Sequence, residues 1–363
     1  MSETGTIMNR HIILSNKLLV ALSGISTWTS RDGEYTYEKH NYHISKPYLE
    51  QKWTKSAIRQ FLAYVSLANP EGHIYFASEE ELSKLIHCSV RTIQENNKSF
   101  EKHGIIQFQR IWGEFLDIHI CDYTKEVRDL DVTDSGEVSS RTGYTSVWHE
   151  VMGELFKIEN INELRLALRC LLLHEKEVHV QQLDEAILSY DEIKGFLPKY
   201  IGYKKAIKQL TDNLSNIFHI SCLESKEMVK ELFHRQTKKR PSLMKKLAKP
   251  FALSFEIMKS DDSRLIRDKE RGETMIHWFE FKKTARNYLA VDKAGINQKD
   301  LNTLSDTYGS SVVKEGLERI LRVFEQNEYG HRLHILYDEF KSEPYQFVKK
   351  RIHSLYLSKS ALM

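Results

Sequence analysis

Only four cysteines occur in 363 residues, Cys88, Cys121, Cys170 and Cys222, and no two of them form C-x-x-C. Neither a disulfide framework nor a zinc knuckle is suggested, and the four read as small apolar fillers. Hydrophobic runs are short as well. The longest near-apolar stretch, Leu18 to Ile25, falls far below the ~20 residues of a membrane span. The N-terminus carries no basic segment followed by an apolar core and a small-residue cleavage site, so a cytoplasmic protein without a membrane partner is expected.

Catalytic motifs are equally scarce. No glycine is followed by lysine, so a phosphate-binding loop G-x-x-x-x-G-K-[ST] cannot be written and nucleotide hydrolysis of that type is excluded. None of the sixteen histidines begins H-x-x-R, the commonest pattern of a tyrosine recombinase. His40 and His43 lack the apolar-flanked His-x-His of a rolling-circle nickase. His331 and His334, with Asp338 and Glu339, are spaced for one helical face, but no H-E-x-x-H accompanies them, and no metal or cofactor is assigned. A non-enzymatic protein is expected, with a nuclease or recombinase of dispersed active site as the enzyme alternative.

What is present is an ordinary globular composition, 41% hydrophobic and 28% charged, with a net charge of +3. That net conceals an asymmetry, because the excess of Lys and Arg lies beyond Leu223 and an acidic excess lies before it. Attraction for nucleic acid is therefore expected mainly from the C-terminal part.

The most ordered set of signals runs from Thr54 to Asp122. Ile58, Phe61, Leu62 and Val65 fall at i, i+3, i+4 and i+7 of a first helix that Pro70 and Gly72 end. After an extended His73–Phe76, Ser78 and Glu81 read as a capping box opening a second helix with Leu82, Leu85 and Ile86 inward. The short His87-Cys88-Ser89 forces a turn, and Ser89 caps a third helix with Val90, Ile93, Asn97 and Phe100 inward. Arg91, Thr92, Gln94, Glu95 and Lys98 lie outward. Gly104 stops that helix, and Ile106, Phe108, Leu116, Ile118 and Ile120 alternate as two strands around a Trp112-Gly113-Glu114 tip. Helix, strand, helix, turn, helix, hairpin is the order of a winged helix-turn-helix. The span nevertheless holds more Asp and Glu than Lys and Arg, which leaves open a winged helix that contacts protein instead of DNA.

Around this unit the chain divides by composition. Residues 1–53 read as an N-terminal arm with a β-hairpin about Asp32-Gly33, with Trp28, Tyr35 and Tyr37 as cross-strand candidates. Residues 123–145 read as a flexible acidic linker. Residues 146–233 suit either a helical bundle with one short strand or a second winged helix, in which Lys204, Lys205 and Lys208 would lie on the exposed recognition face. Residues 234–274 read as a basic tract and linker. Within them His234 to Lys249 holds seven cations, Lys238, Lys239, Arg240, Lys245 and Lys246 among them, and no acid, the composition of a phosphate-binding segment or of a solvated helix face. Residues 275–363 read as a helical C-terminal domain, its last helix opened by Ser342-Glu343-Pro344. The fold class expected is mainly α with small β-wings: one or two winged helix domains plus a helical C-terminal domain.

The runs Ser78–Ile86, Cys88–Ile93 and Lys102–Ile106 resemble the winged helices of replication initiators from plasmids and phages and of bacterial transcription regulators. In the C-terminal set, Tyr308-Gly309, Val312-Val313 and Pro344-Tyr345 with Val348 resemble the helical domain of primosome proteins from low-GC Gram-positive bacteria. These resemblances imply a sequence-specific double-stranded DNA-binding protein, a replication initiator or similar mobile-element factor. Its DNA contacts would come from Ser89, Arg91, Thr92, Gln94, Glu95 and Lys98, from Arg110 and Trp112 of the wing, from Lys204, Lys205 and Lys208, and from the basic tract. The partners implied are repeated DNA sites and host replication proteins, with a homo-oligomer left open. A transcription regulator with a C-terminal oligomerisation domain and a protein-binding adaptor remain as alternatives.

Overall fold

A computed structural model of the chain describes residues 10–24, 34–37, 40–111, 113, 115–132, 138–140, 142–201, 203–224, 251–289, 291, 295–325 and 333–360. They are mainly helical with small sheets, and fall into two compact units, one of residues 12–262 and one of residues 263–363 with 1–11. Among the described residues no helix is long and apolar enough to cross a membrane.

The larger unit begins at Ile12, inside β1 (His11–Ser15), which α1 (Asn16–Ser23) follows. Every residue of α1 is buried, and Ser15 caps it by accepting from the Leu18 N–H. The expected N-terminal arm is thus partly core. The hairpin pairs β2 (Glu34–Tyr37) with β3 (His40–His43), Tyr35 opposite Tyr42. Tyr42 of the second strand is fully buried. Trp28 and Asp32-Gly33 lie outside the described residues.

After α2 (Lys46–Glu50) comes α3 (Lys55–Leu67), capped by Thr54. Its apolar face buries Phe61 against Trp53 and Phe100, with ring centroids 5.5 and 6.0 Å apart. β4 (His73–Ser78), α4 (Glu79–Leu85), α5 (Val90–Lys102), β5 (Ile106–Ile111) and β6 (Phe115–Ile120) follow, forming an antiparallel sheet of order β4-β6-β5. Gly72, before β4, has φ +87°, and a Cβ there would stand 2.5 Å from the Cβ of Tyr123. Gly72→Ala is expected to cost about 3 kcal/mol, the sum of a left-handed backbone and an overpacked contact. Urea unfolding of the two proteins checks this, and equal midpoints would refute it.

The expected acidic linker is built into the fold. It contains α6 (Tyr123–Glu126) and the hairpin of β7 (Leu130–Val132) with β8 (Val138–Ser140), before β9 (Tyr144–Trp148) pairs with β1. Two of the acids that made it look solvated, Glu126 and Asp129, are buried beside Lys17 of α1, 3.3 and 3.7 Å from its Nζ. Asp129 also accepts from the N–H and hydroxyl of Thr142, at 2.6 and 2.8 Å.

α7 (His149–Lys157) and α8 (Ile161–His174) lead into a π-helical turn, Glu175–Val180. Then come β10 (Ala186–Ser189), α9 (Tyr190–Phe196), α10 (Lys204–Asp212), β11 (Phe218–Leu223) and β12 (Ala252–Ile257), in an antiparallel sheet of order β10-β12-β11. The order α8-β10-α9-α10-β11-β12 repeats α3-β4-α4-α5-β5-β6, and in both sheets the last strand is central. Even the caps correspond: Ser78 accepts from Glu81 N–H and Ser189 from Glu192 N–H, each opening a seven-residue helix. Residues 146–223 carry the described strands β10 and β11, where one short strand was expected of a helical bundle. The second repeat does not end at residue 233, because β12 completes its sheet.

The smaller unit packs α11 (Ser263–Ala285), α12 (Gln298–Tyr308), α13 (Ser310–Glu325), α14 (Leu333–Ser342) and α15 (Pro344–Ser360) around Trp278, Phe281, Leu304, Leu317, Phe340 and Phe347. Residues 263–274, expected as an exposed connection, are the first half of α11. There the ion pair of Arg271 with Asp306 of α12 supports a helix that local composition underrates. Ile276 and Phe279 of α11 are 58% and 68% exposed, so this helix offers apolar side chains outward as well as inward.

Candidate nucleic-acid interface

In the first repeat, α5 is held to α3 by buried amides and a phenol. Gln60 Nε2 donates to Tyr64 Oη and to Asn97 Oδ1, both at 2.7 Å, and Tyr64 Oη donates to Asn97 Oδ1 at 2.6 Å. Burial pushes the Tyr64 phenol above its usual pKa, so it remains a donor. The opposite face of α5 is therefore presented in one orientation.

On that face Ser89 accepts from the Thr92 N–H at 3.1 Å, and the two hydroxyls lie 2.8 Å apart. Arg91 is exposed and pairs with Glu95 at 2.9 Å, while Lys98 is exposed too. Glu79, at the start of α4, was not singled out by its sequence. Its side chain is 7% exposed and joins two expected DNA contacts, accepting from Arg110 at 2.6 Å and from Gln94 at 2.8 Å. Gln94 and Arg110 are thus brought together, yet toward an internal carboxylate. Its sequence signal, three successive glutamates, is explained by the N-terminal dipole of α4 and hides the specific partner. Trp112 lies outside the described residues.

In the second repeat the corresponding helix, α10, presents Lys204 and Lys205 to solvent, with Lys208 partly exposed. Lys208 Nζ lies 2.8 Å from Glu224, immediately after β11, and Lys204 Nζ lies 5.6 Å from the ring of Phe251, immediately before β12. Both ends of the connection 225–250 thus sit against α10. That connection carries Lys238, Lys239, Arg240, Lys245 and Lys246, whose own placement is outside the described residues. Tyr200 and Tyr203, ahead of α10, are 72% and 58% exposed, and such rings can stack on a base or cover a sugar.

Arg59 of α3 ties the first repeat to the turn that follows α7. Its guanidinium, 1% exposed, donates to the carbonyl of Ile86 at 3.1 Å and to that of Ile158, beside α7. Burial lowers its pKa from the ordinary value, against the opposing pull of Glu159.

A third cluster was not expected. His174 at the end of α8, His179 on the π-helical turn and Asp262 have ligand atoms all within 4.8 Å of one another, and His179 Nε2 lies 3.1 Å from Asp262 Oδ1. Burial pushes His174 down to about 4. Sequence spacing gave no warning, since Asp262 is remote in the chain and the histidines are five apart. Compared with protein-family models, curated proteins and solved structures, the chain matches none.

Proposed function

We propose that the chain is a non-enzymatic, sequence-specific double-stranded DNA-binding protein built on two winged helices, of the class that initiates replication of a plasmid, phage or other mobile element. In this reading α5 and α10 enter the major groove, β5 and β6 carry the first wing, and the sequence 225–250 joins the two strands of the second. The observation that carries the reading is the repeated element order, which puts the acid-free basic tract between β11 and β12 with both ends of that connection beside the lysines of α10.

The second repeat supplies most of the affinity in this reading. Arg110 is already paired with Glu79 and Arg91 with Glu95, so the first repeat offers little uncompensated charge to phosphates. Gln94 can read a base only by leaving Glu79. That arrangement favours a second role for the first repeat, contact with protein, as an adaptor would use it. The smaller unit would recruit a host replication protein through the exposed Ile276 and Phe279 of α11.

Sequencing the DNA recovered with the purified full-length protein tests the proposal. Repeats beside an origin support it, promoter operators would convert it to a transcription regulator, and absence of enrichment would overturn it. A finer test is Glu79→Gln, which removes the charge that holds Arg110. Binding is expected to strengthen up to about eightfold at 0.1 M salt, the effect of one added phosphate contact. Titration by fluorescence anisotropy reads this out, and an unchanged affinity would remove the first wing from the interface.

A further inference from the structure

In a regular α-helix, residues five apart lie about 140° apart around the axis and cannot share a ligand. His174 and His179 are five apart, yet their ring centroids stand 5.0 Å from each other. The cause is local: α8 does not continue as an α-helix but widens into the π-helical turn Glu175–Val180, in which Gln181 N–H donates to Lys176 C=O, five residues back. Wide turns of this kind are rare and concentrate at functional sites. Here the extra residue carries one imidazole round to the side of the other.

Asp262 completes the group from the end of the same compact unit, immediately before Ser263 opens α11. His174 and Asp262 are buried, while His179 is partly exposed. Two imidazoles and one carboxylate form a ligand set of the kind zinc takes, with a fourth position left for water. Tetrahedral zinc at bonds of about 2.0–2.1 Å needs donor atoms about 3.4 Å apart. The His179–Asp262 separation of 3.1 Å is close to this, and all three ligand atoms lie within 4.8 Å of one another.

We infer that His174, His179 and Asp262 form a divalent transition-metal site of the zinc class, in which the π-helical turn aligns the two imidazoles and the metal ties that turn to the point where the chain leaves the larger unit. Such a tie would hold α8, the first helix of the second repeat, in a set relation to the residues after its last strand, β12. The inference does not depend on the proposed function.

The experiment uses tag-free full-length protein, stripped with a chelator and titrated with Zn²⁺ against a chromophoric competitor. Asp262→Asn and His179→Gln are the variants, because both keep side-chain size and His179 is partly exposed. Wild type is expected to bind about one equivalent, and each variant to bind at least about tenfold more weakly, since ligand loss costs no less than loss of an outer partner. Co²⁺ in place of Zn²⁺ should give the visible bands of a tetrahedral site in wild type and lose them in the variants. Chelation should lower the melting temperature of wild type and leave the variants unchanged. Failure of wild type to bind Zn²⁺, or equal affinity in wild type and both variants, would overturn the inference, the second by placing the metal on other residues.

Discussion

Replacing Lys238, Lys239, Arg240, Lys245 and Lys246 together with glutamine is expected to flatten the salt dependence of DNA binding more than any other change in the chain. If each side chain neutralises one phosphate, the slope of log K against log salt falls by about 4.5. Between 50 and 200 mM salt the wild type would then lose about 500-fold more affinity than the variant. The loss should be the same on random and specific duplexes, because phosphate contacts carry no sequence information. The same substitutions leave every strand of both sheets unchanged, so far-ultraviolet circular dichroism should not move. A wild-type slope in the substituted protein would make the tract a solvated segment and return the search for affinity to α10.

A second large effect concerns where the larger unit ends. A chain stopped at Asp262 keeps β12 and should fold cooperatively; if the proposed function holds, it should retain site binding and fail to support replication of a plasmid carrying the site, because the helices proposed to recruit are gone. A chain stopped at Glu224 loses the central strand of the second sheet. Phe251, Leu253 and Phe255, all buried, go with it, at about 1.5–3 kcal/mol each. Two strands, β10 and β11, are left with unpaired edges. The combined loss is comparable to the whole stability of a typical domain, so this shorter chain should aggregate or melt without a cooperative transition. Size-exclusion chromatography and thermal melts distinguish the two. Replication supported by the 1–262 chain would remove the recruitment role, and a monomeric, cooperatively melting 1–224 chain would contradict the role of β12.

Most of the first repeat was legible in the sequence because its signals are local. Thr54, Ser78 and Ser89 each cap the helix that follows within three residues, and the alternation of β5 and β6 spans one short turn. The C-terminal helices were legible for the same reason, down to Pro344 opening α15. What escaped depended on distant partners. Glu126 and Asp129 looked like linker acids because Lys17, which accompanies them, lies more than a hundred residues earlier. The second sheet was left unresolved because β12 is separated from β11 by the basic tract, which reads by composition as a terminus to the fold. Glu79 was missed since its position at a helix start already accounts for an acid. The histidine pair was missed because its spacing matches no regular helix, and only the widened turn reconciles them.

The central position of a last-made strand has a consequence during synthesis. On the ribosome the first repeat can close its sheet once Ile120 has emerged, and its contacts span a modest length of chain. The second cannot close until Ile257 is free, and until then β10 and β11 have no strand between them. Moreover α1, made near the start, waits for α8 before its wholly buried surface is covered. Pairings so far apart in the chain close slowly. The nascent protein therefore spends its longest exposed interval with one repeat complete and the other lacking its middle, the stage at which chaperone dependence and misassembly between copies should concentrate.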